Sequence, residues 1–169
     1  YSPTDNSYIA RVLPTFTINK YISLTPGYAF FQDYESKSEN AEHQIMAYAT
    51  FTLPISNKLS ITDRNMYYYQ IKNYASNTVT YRNRLGLNYK IKVKNIPVSL
   101  YAHDEIYINL ENGKLRNRVY VGSSVSLSWL TPQLMYYMQS EKGKTNKHYW
   151  MLSLLVPLEK FGFFSGKKK

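Results

Sequence analysis

Apolar and polar positions alternate with period two along almost the whole chain. From 78 to 93 the even positions are Thr78, Thr80, Arg82, Arg84, Gly86, Asn88, Lys90 and Lys92. The odd positions are Val79, Tyr81, Asn83, Leu85, Leu87, Tyr89, Ile91 and Val93, and only Asn83 interrupts the apolar set. A helix would scatter both sets around its circumference, whereas a strand places each on one face. The same alternation carries Tyr8, Ala10, Val12, Pro14, Phe16 and Ile18; Ile22, Leu24, Tyr28 and Phe30; and Ile45, Ala47, Ala49, Phe51 and Leu53. It returns in Val98, Leu100, Ala102, Ile106 and Ile108; in Val119, Val121, Val125, Leu127 and Trp129; in Leu134, Tyr136 and Met138; and in Trp150, Leu152, Leu154, Val156 and Leu158. The segment 59–72 is less regular because Asp63, Arg64 and Asn65 are consecutive. The pattern predicts nine antiparallel strands of about ten residues or more, the length a tilted strand needs to cross a bilayer.

The connections alternate in kind. Asn19-Lys20, Ser56-Asn57, Lys94-Asn95 and Leu130-Thr131-Pro132 read as tight turns, and the connections near 35–41, 73–77, 111–115 and 141–146 as longer, polar loops. In bacterial outer-membrane barrels the short turns are periplasmic and the longer loops extracellular. The first strand, about 7–18, and the last, about 147–159, then both run toward the periplasm. Nine strands cannot close as an even antiparallel barrel. The expected fold is therefore an all-β transmembrane barrel of about ten strands, its first strand upstream of Tyr1 and residues 1–6 an outer loop. Eight strands is the alternative, if two segments fuse or one lies outside the wall. The chain, 1–169, reads as one barrel domain, with 161–169 as a basic periplasmic tail.

Residue identity bears on which face is inside. At mid-strand the polar face carries Arg, Glu, Tyr, Gln, Ser and Thr, while Lys gathers at strand ends and loops. The expectation is a hydrogen-bonded lumen in which Arg11, Arg64, Arg82, Arg84, Arg116 and Arg118 meet Glu42 and Glu105, with Tyr101, His103, Tyr107 and Tyr120 as polar neighbours. On the apolar face Phe16, Tyr28, Phe30, Trp129, Tyr136 and Trp150 are expected at bilayer interfaces. A soluble Tyr-rich sandwich is the competing reading.

Composition narrows the chemistry. There is no Cys, which excludes thiol catalysis, disulfides and Cys-ligated metals, and the three His are few for a metal centre; no cofactor or metal is expected. The net charge is +10 and mean hydropathy −0.44. No apolar run is long enough for a spanning helix, and no signal peptide begins at Tyr1. The basic residues are divided between a lumen and loop ends, which argues against a nucleic-acid stripe. Lys142, Lys144 and Lys147 are placed to meet lipopolysaccharide phosphates, and Lys58, Lys92, Lys94 and Lys160 inner-leaflet headgroups.

The order of motifs resembles a family of small Gram-negative outer-membrane β-barrel proteins known only as a domain of unknown function. The resemblance rests on Tyr81-Arg82-Asn83-Arg84-Leu85-Gly86-Leu87-Asn88-Tyr89, then Ile96-Pro97, Asp104-Glu105, Asn117-Arg118 and His148, over about two thirds of the chain. It implies a barrel and assigns no activity.

Ser99, His103 and Glu105 share a face, and Ser124, Ser126 and Ser128 lie near, so a lipid hydrolase is conceivable. That face points into the lumen, and the expectation is a protein that is not an enzyme. A lumen filled by Arg, Tyr and Gln leaves at most a narrow anion-preferring pore. Asp104 falls on the lipid face, where a carboxylate is costly, and Asn83 joins it there. Both read as contacts to another envelope protein. The sequence thus predicts a structural or interaction barrel in the bacterial outer membrane, its C-terminus periplasmic, with membrane lipid, lipopolysaccharide and an envelope protein as partners.

Overall fold

The computed structural model describes residues 7–33 and 40–156. Ten strands occur among them: β1 (Ser7–Val12), β2 (Phe16–Thr17), β3 (Ile22–Asp33), β4 (Asn40–Pro54), β5 (Leu59–Lys72), β6 (Thr78–Val93), β7 (Ile96–Asn109), β8 (Leu115–Val125), β9 (Thr131–Glu141) and β10 (Lys147–Leu155). Every pairing is antiparallel and, apart from that of β1 with β3, joins strands consecutive in sequence, giving one strongly curled, open half-barrel with β1 and β10 at its edges.

The ten strands occupy nine positions, because β1 and β2 lie end to end beside β3. The expected first strand is interrupted at residues 13–15. The pairs Val12↔Tyr28 and Phe16↔Leu24 hold one register, which sets Pro14 opposite Pro26. Neither proline has an N–H to give the ladder, so pairing lapses there. A side-chain bridge substitutes: Thr15 Oγ1 lies 3.0 Å from Thr25 Oγ1.

At the turn between β6 and β7 Val93 pairs with Ile96, leaving Lys94 and Asn95 as a two-residue hairpin loop with φ of 48° and 67°. Two positive φ values define a type I′ turn, whose twist matches that of the strands it joins. The turn expected at Leu130–Pro132 lies earlier, at 126–130. Thr131 and Pro132 belong to β9, and β8 ends before Leu127 and Trp129. The opposite connections 73–77, 110–114 and 142–146 are the same length as 126–130, so the two ends differ less in loop length than the sequence implies. The outer loop expected at 1–6, most of the one near 35–41, the end of the last strand near 159 and the tail 161–169 lie outside the described residues.

The alternation expected from sequence sorts onto two faces. The concave face buries Thr25, Glu42, Gln44, Thr80, Glu105, Ser124 and Gln139, together with Ala29, Phe31, Met66, Tyr107 and Tyr120. The convex face exposes Leu24, Ile45, Leu85, Leu87, Val121, Leu134 and Leu152. Glu105 is 1% exposed and Trp150 is 74% exposed. Polar residues lie within the curl and apolar ones outside it.

Candidate functional site

Register builds the concave site. Arg64, Arg84, Glu105, Arg118 and Gln139 stand in one row across β5 to β9, each directly opposite the next. The adjacent row runs Met66, Arg82, Tyr107, Arg116 and Glu141, and the row on the other side runs Thr62, Gly86, His103, Tyr120 and Tyr137. Glu105 is therefore flanked by arginines on both neighbouring strands and by tyrosines above and below.

Its contacts follow from that position. Nε of Arg82 and Nε of Arg84 donate to Glu105 Oε1 at 2.5 and 2.8 Å. Tyr107 OH donates to Oε2 at 2.7 Å, and Tyr120 OH donates to the same oxygen. Arg118 reaches the carboxylate indirectly: its Nη1 donates to Tyr107 OH at 2.6 Å and its Nε to Gln139 at 2.7 Å. The guanidinium carbons of Arg82 and Arg118 lie 4.4 and 4.7 Å from the Tyr107 ring centre, one cation–π contact each. A buried charge held by charge-assisted bonds on both oxygens meets the condition under which such a group is tolerated.

The other expected members of the network lie apart from it. Glu42, 2% exposed, accepts from Gln44 and Gln70 at 2.5 Å each and from Tyr74 OH at 3.2 Å. Its expected arginine partners are absent among the described residues. Lys72 stands opposite it in register, yet the ammonium is turned to Thr78 Oγ1 at 3.0 Å. Arg64 donates to Thr50 Oγ1 at 3.2 Å and packs on Tyr48, and Arg11 packs on Phe31. Neither has a carboxylate within ion-pair distance among the described residues. Arg116 faces Glu141, at 3.7 Å, rather than Glu105.

Tyr101, expected among the polar neighbours of the network, makes no hydrogen bond to it. Its hydroxyl is buried without a hydrogen bond, and its ring stacks on His103 at 4.9 Å. Two glycines admit this pair. A Cβ on Gly86 would come within 2.6 Å of the His103 ring, and one on Gly122 within 2.6 Å of the Tyr101 ring. Each glycine stands directly across from the ring it accommodates. The hydrogen-bond contact of His103 is Asn88 Oδ1, 3.4 Å from Nε2, so no side-chain bond joins it to Ser99 or Glu105. No group of His, Asp and Glu that could hold a metal occurs among the described residues.

On the convex face the polar spot is larger than Asn83 and Asp104, and the two do not meet. Asn83 Nδ2 donates to Asp63 Oδ1 at 2.6 Å, Tyr81 OH donates to Asn65 Oδ1 at 2.5 Å, and Asn65 Nδ2 donates to Asp63 Oδ2 at 3.0 Å. Asp104 instead accepts from Asn117 Nδ2 at 2.6 Å. Asp63 and Asp104 stand on either side of Leu85 in register. Neither has a cation within ion-pair distance among the described residues. The consecutive Asp63-Arg64-Asn65 was the sequence signal for this cluster: alternation sends Arg64 inward and both its neighbours outward.

Of the expected interfacial aromatics, Phe16 lies near the turn end and Phe30 and Trp150 nearer the loop end, while Trp129 lies in a turn. Tyr28 and Tyr136 stand near the middle of β3 and β9 rather than at strand ends. Each is hydrogen-bonded to a histidine on the neighbouring strand, Tyr28 to His43 Nδ1 and Tyr136 to His148 Nδ1, both at 2.6 Å.

At the loop end of β8 and β9, Glu141 gathers Lys114 at 2.8 Å and Lys144 at 3.0 Å. The Lys114 ammonium, seconded by Lys144, holds its carboxyl at about 2, against an opposing effect of burial.

These features define an all-β protein whose single described sheet curls with a bonded polar interior and an apolar exterior. The chain belongs to the family described as Protein of unknown function (DUF2490), whose model matches residues 3–149. Comparison with curated proteins and with solved structures gives no match.

Proposed function

We propose that this protein is a bacterial outer-membrane β-barrel with a side-chain-filled polar lumen, acting as a structural or interaction component of the cell envelope. The observation that carries this reading is the inverted distribution of side chains. In water, a sheet exposing Leu85, Leu87, Val121, Leu134, Trp150 and Leu152 on one continuous face is an association or aggregation hazard. In a bilayer that face is the required one, and a polar interior is the usual complement. Tyr81 and Tyr89 bracket Leu85 and Leu87 on β6. Eight residues at about 3.3 Å each, tilted by about 40°, separate the two rings by roughly 20 Å along the barrel axis.

Closure in this reading needs one more strand. With nine strand positions, β1 and β10 run in the same direction, so a single strand antiparallel to both would seal the edges. A segment upstream of Tyr1 is the proposed source. The C-terminus is then periplasmic.

The interaction role is favoured by Asp63, Asn65, Asn83, Asp104 and Asn117 on the apolar face, because carboxylates there are costly against lipid and are satisfied by a protein neighbour. A narrow anion-preferring pore is the second reading, favoured by Arg11 and Arg64, which face the interior with no carboxylate within ion-pair distance among the described residues.

The test is reconstitution of the full chain. Refolded into detergent or vesicles, it should migrate differently on gels with and without boiling. A monomer stable in plain buffer would overturn the membrane reading. Steady salt-dependent channels in planar bilayers would replace the structural role with the pore.

A further inference from the structure

We infer that the loop end of β8, β9 and β10 is a binding site for a phosphate-type anion, carried on a lipid headgroup or on a small phosphate ester. A cavity of about 110 Å³ opens there, lined by Arg116, Gln139, Glu141, Lys144, Thr145 and Lys147. A water needs only about 10–15 Å³ of such volume, so the cavity has room for a small tetrahedral group.

The charge around it is unbalanced. Among the described residues, Lys114, Arg116, Lys144 and Lys147 surround a single carboxylate, Glu141. Glu141 engages Lys114 and Lys144, at 2.8 and 3.0 Å, and leaves Arg116 and Lys147 without full compensation. Arg116 is the telling residue. Its Nε is buried and makes no hydrogen bond, since Glu141 Oε2 at 3.7 Å is too distant. A buried donor left unsatisfied calls for a partner, and a guanidinium is the side chain best shaped to bind a phosphate through two parallel bonds.

The backbone explains the convergence. Arg116 stands opposite Glu141, and Gln139 opposite Lys147, in adjacent ladders, so three strands deliver these side chains to one end of the concave face. Lys144 and Thr145 are added by the connection between β9 and β10. Gln139 and Thr145 supply neutral polar groups at the wall. Glu141 holds the two lysines in place while competing with the ligand for them.

The lipid form of this inference rests on the membrane reading above, whereas the anion site itself does not. The test titrates the full chain, in a neutral detergent, with inorganic phosphate by calorimetry. In parallel, neutral phosphatidylcholine vesicles with and without phosphatidic acid are assayed for retention of the protein. Saturable phosphate binding is expected, weakened about tenfold by Arg116→Gln or by Lys147→Gln and strengthened by Glu141→Gln. Lys92→Gln, at the turn end, should change nothing. Lys147 is exposed, so its variant remains informative if Arg116→Gln fails to fold. Binding of both probes assigns the site to the phosphate group itself, and binding of phosphatidic acid vesicles alone assigns it to a lipid headgroup. Absence of saturable binding to either probe, or binding unchanged in the Lys147 and Arg116 variants, would overturn the inference. A protein that does not insert into vesicles yet binds phosphate would sink the membrane reading and leave the site standing.

Discussion

Glu105 stands directly opposite Arg84 across the β6–β7 ladder, with Oε1 2.8 Å from the arginine Nε. The same carboxylate faces Arg118 across β7–β8, so one residue in the middle strand neutralises charge delivered by both neighbours. Glu105 can do this because the period of a strand is two. Arg82 and Arg84 fall on the same face as Glu105, and Arg116 and Arg118 join them from the next strand. Tyr107 and Tyr120 then close the carboxylate off from water on its remaining side.

Removing that charge should therefore be far more damaging than removing the other buried carboxylate. Glu105→Gln leaves two arginines uncompensated and is expected to lower stability by roughly 3–5 kcal/mol. Glu42→Gln, whose partners are two amides and a phenol, leaves no ion pair broken and should cost clearly less. Urea unfolding of both variants in detergent micelles measures the difference. Equal losses would show that the arginines around Glu105 are compensated by solvent.

Most strands were legible in the sequence because they keep a period of two, which also separates the two faces; 59–72, with Asp63, Arg64 and Asn65 consecutive, was the least regular. Partnership within the face was not legible. Pairing depends on register, and register follows from turns such as Lys94-Asn95. Without it, Glu42 could not be separated from Glu105, nor Asn83 joined to Asp63 rather than Asp104. Glu141 read as the start of a loop, whereas it is the last residue of β9, paired with Arg116. The break in β1 was hidden because a proline at 14 preserves the alternation while removing the hydrogen bond that sustains it.

Gly86 should resist substitution because two neighbours crowd it, the His103 ring and Thr62 Oγ1, each 2.6 Å from where a Cβ would lie. An added Cβ would overlap the His103 ring, and overpacking of this kind costs about 1–3 kcal/mol. Gly86→Ala should thus be destabilising in the wild-type background and less so beside His103→Ala, where the contact with Thr62 remains. A double-mutant cycle reads the coupling; additive losses would mean that the ring moves aside freely.

The hairpin at 94–95 carries two non-glycine residues in the left-handed region. Lys there is unfavourable, and Asn-Gly is the preferred pair for a type I′ turn. Replacing Lys94 by Asn and Asn95 by Gly should raise stability by about 0.5–1 kcal/mol per site, with no change in the concave network. Thermal unfolding checks this, and a loss of stability would indicate that the Lys94 side chain has a role at the turn.

Glu141 gives the loop end a pH dependence of predictable sign. Its folded pKa, about 2, lies below the usual 4.5. A depressed carboxyl contributes stability that is fully present above about pH 4.5 and is lost as the pH falls toward 2. Lys114 and Lys144 are solvent-exposed, so the contribution is modest and weakens with salt. Wild type should exceed Glu141→Gln in stability at pH 7, and the gap should narrow between pH 4.5 and 2. A gap that widened on acidification would reverse the assignment.

The convex face offers a paired test in which the same substitution is made two residues apart. Leu85 and Leu87 are both exposed, on the same side of β6. An arginine on the lipid side of a barrel near mid-bilayer costs about 2–4 kcal/mol. At position 87 the opposing residues are Ile61 and Ala102, which offer the cation nothing. At position 85 they are Asp63 and Asp104, two carboxylates with no cation of their own among the described residues. Opposite charges directly across a ladder stabilise a sheet, and in an apolar surrounding the attraction is stronger than in water. Leu85→Arg should therefore be markedly better tolerated than Leu87→Arg in vesicles, and by occupying both carboxylates it should weaken retention of any protein partner held at that spot. Unfolding free energies of the two variants in the same lipid decide the first point, and co-purification from native membranes in mild detergent decides the second. Equal costs at 85 and 87 would mean that Asn83 and Asn117 already satisfy the two aspartates, and the convex polar cluster would then have no need of a cationic neighbour.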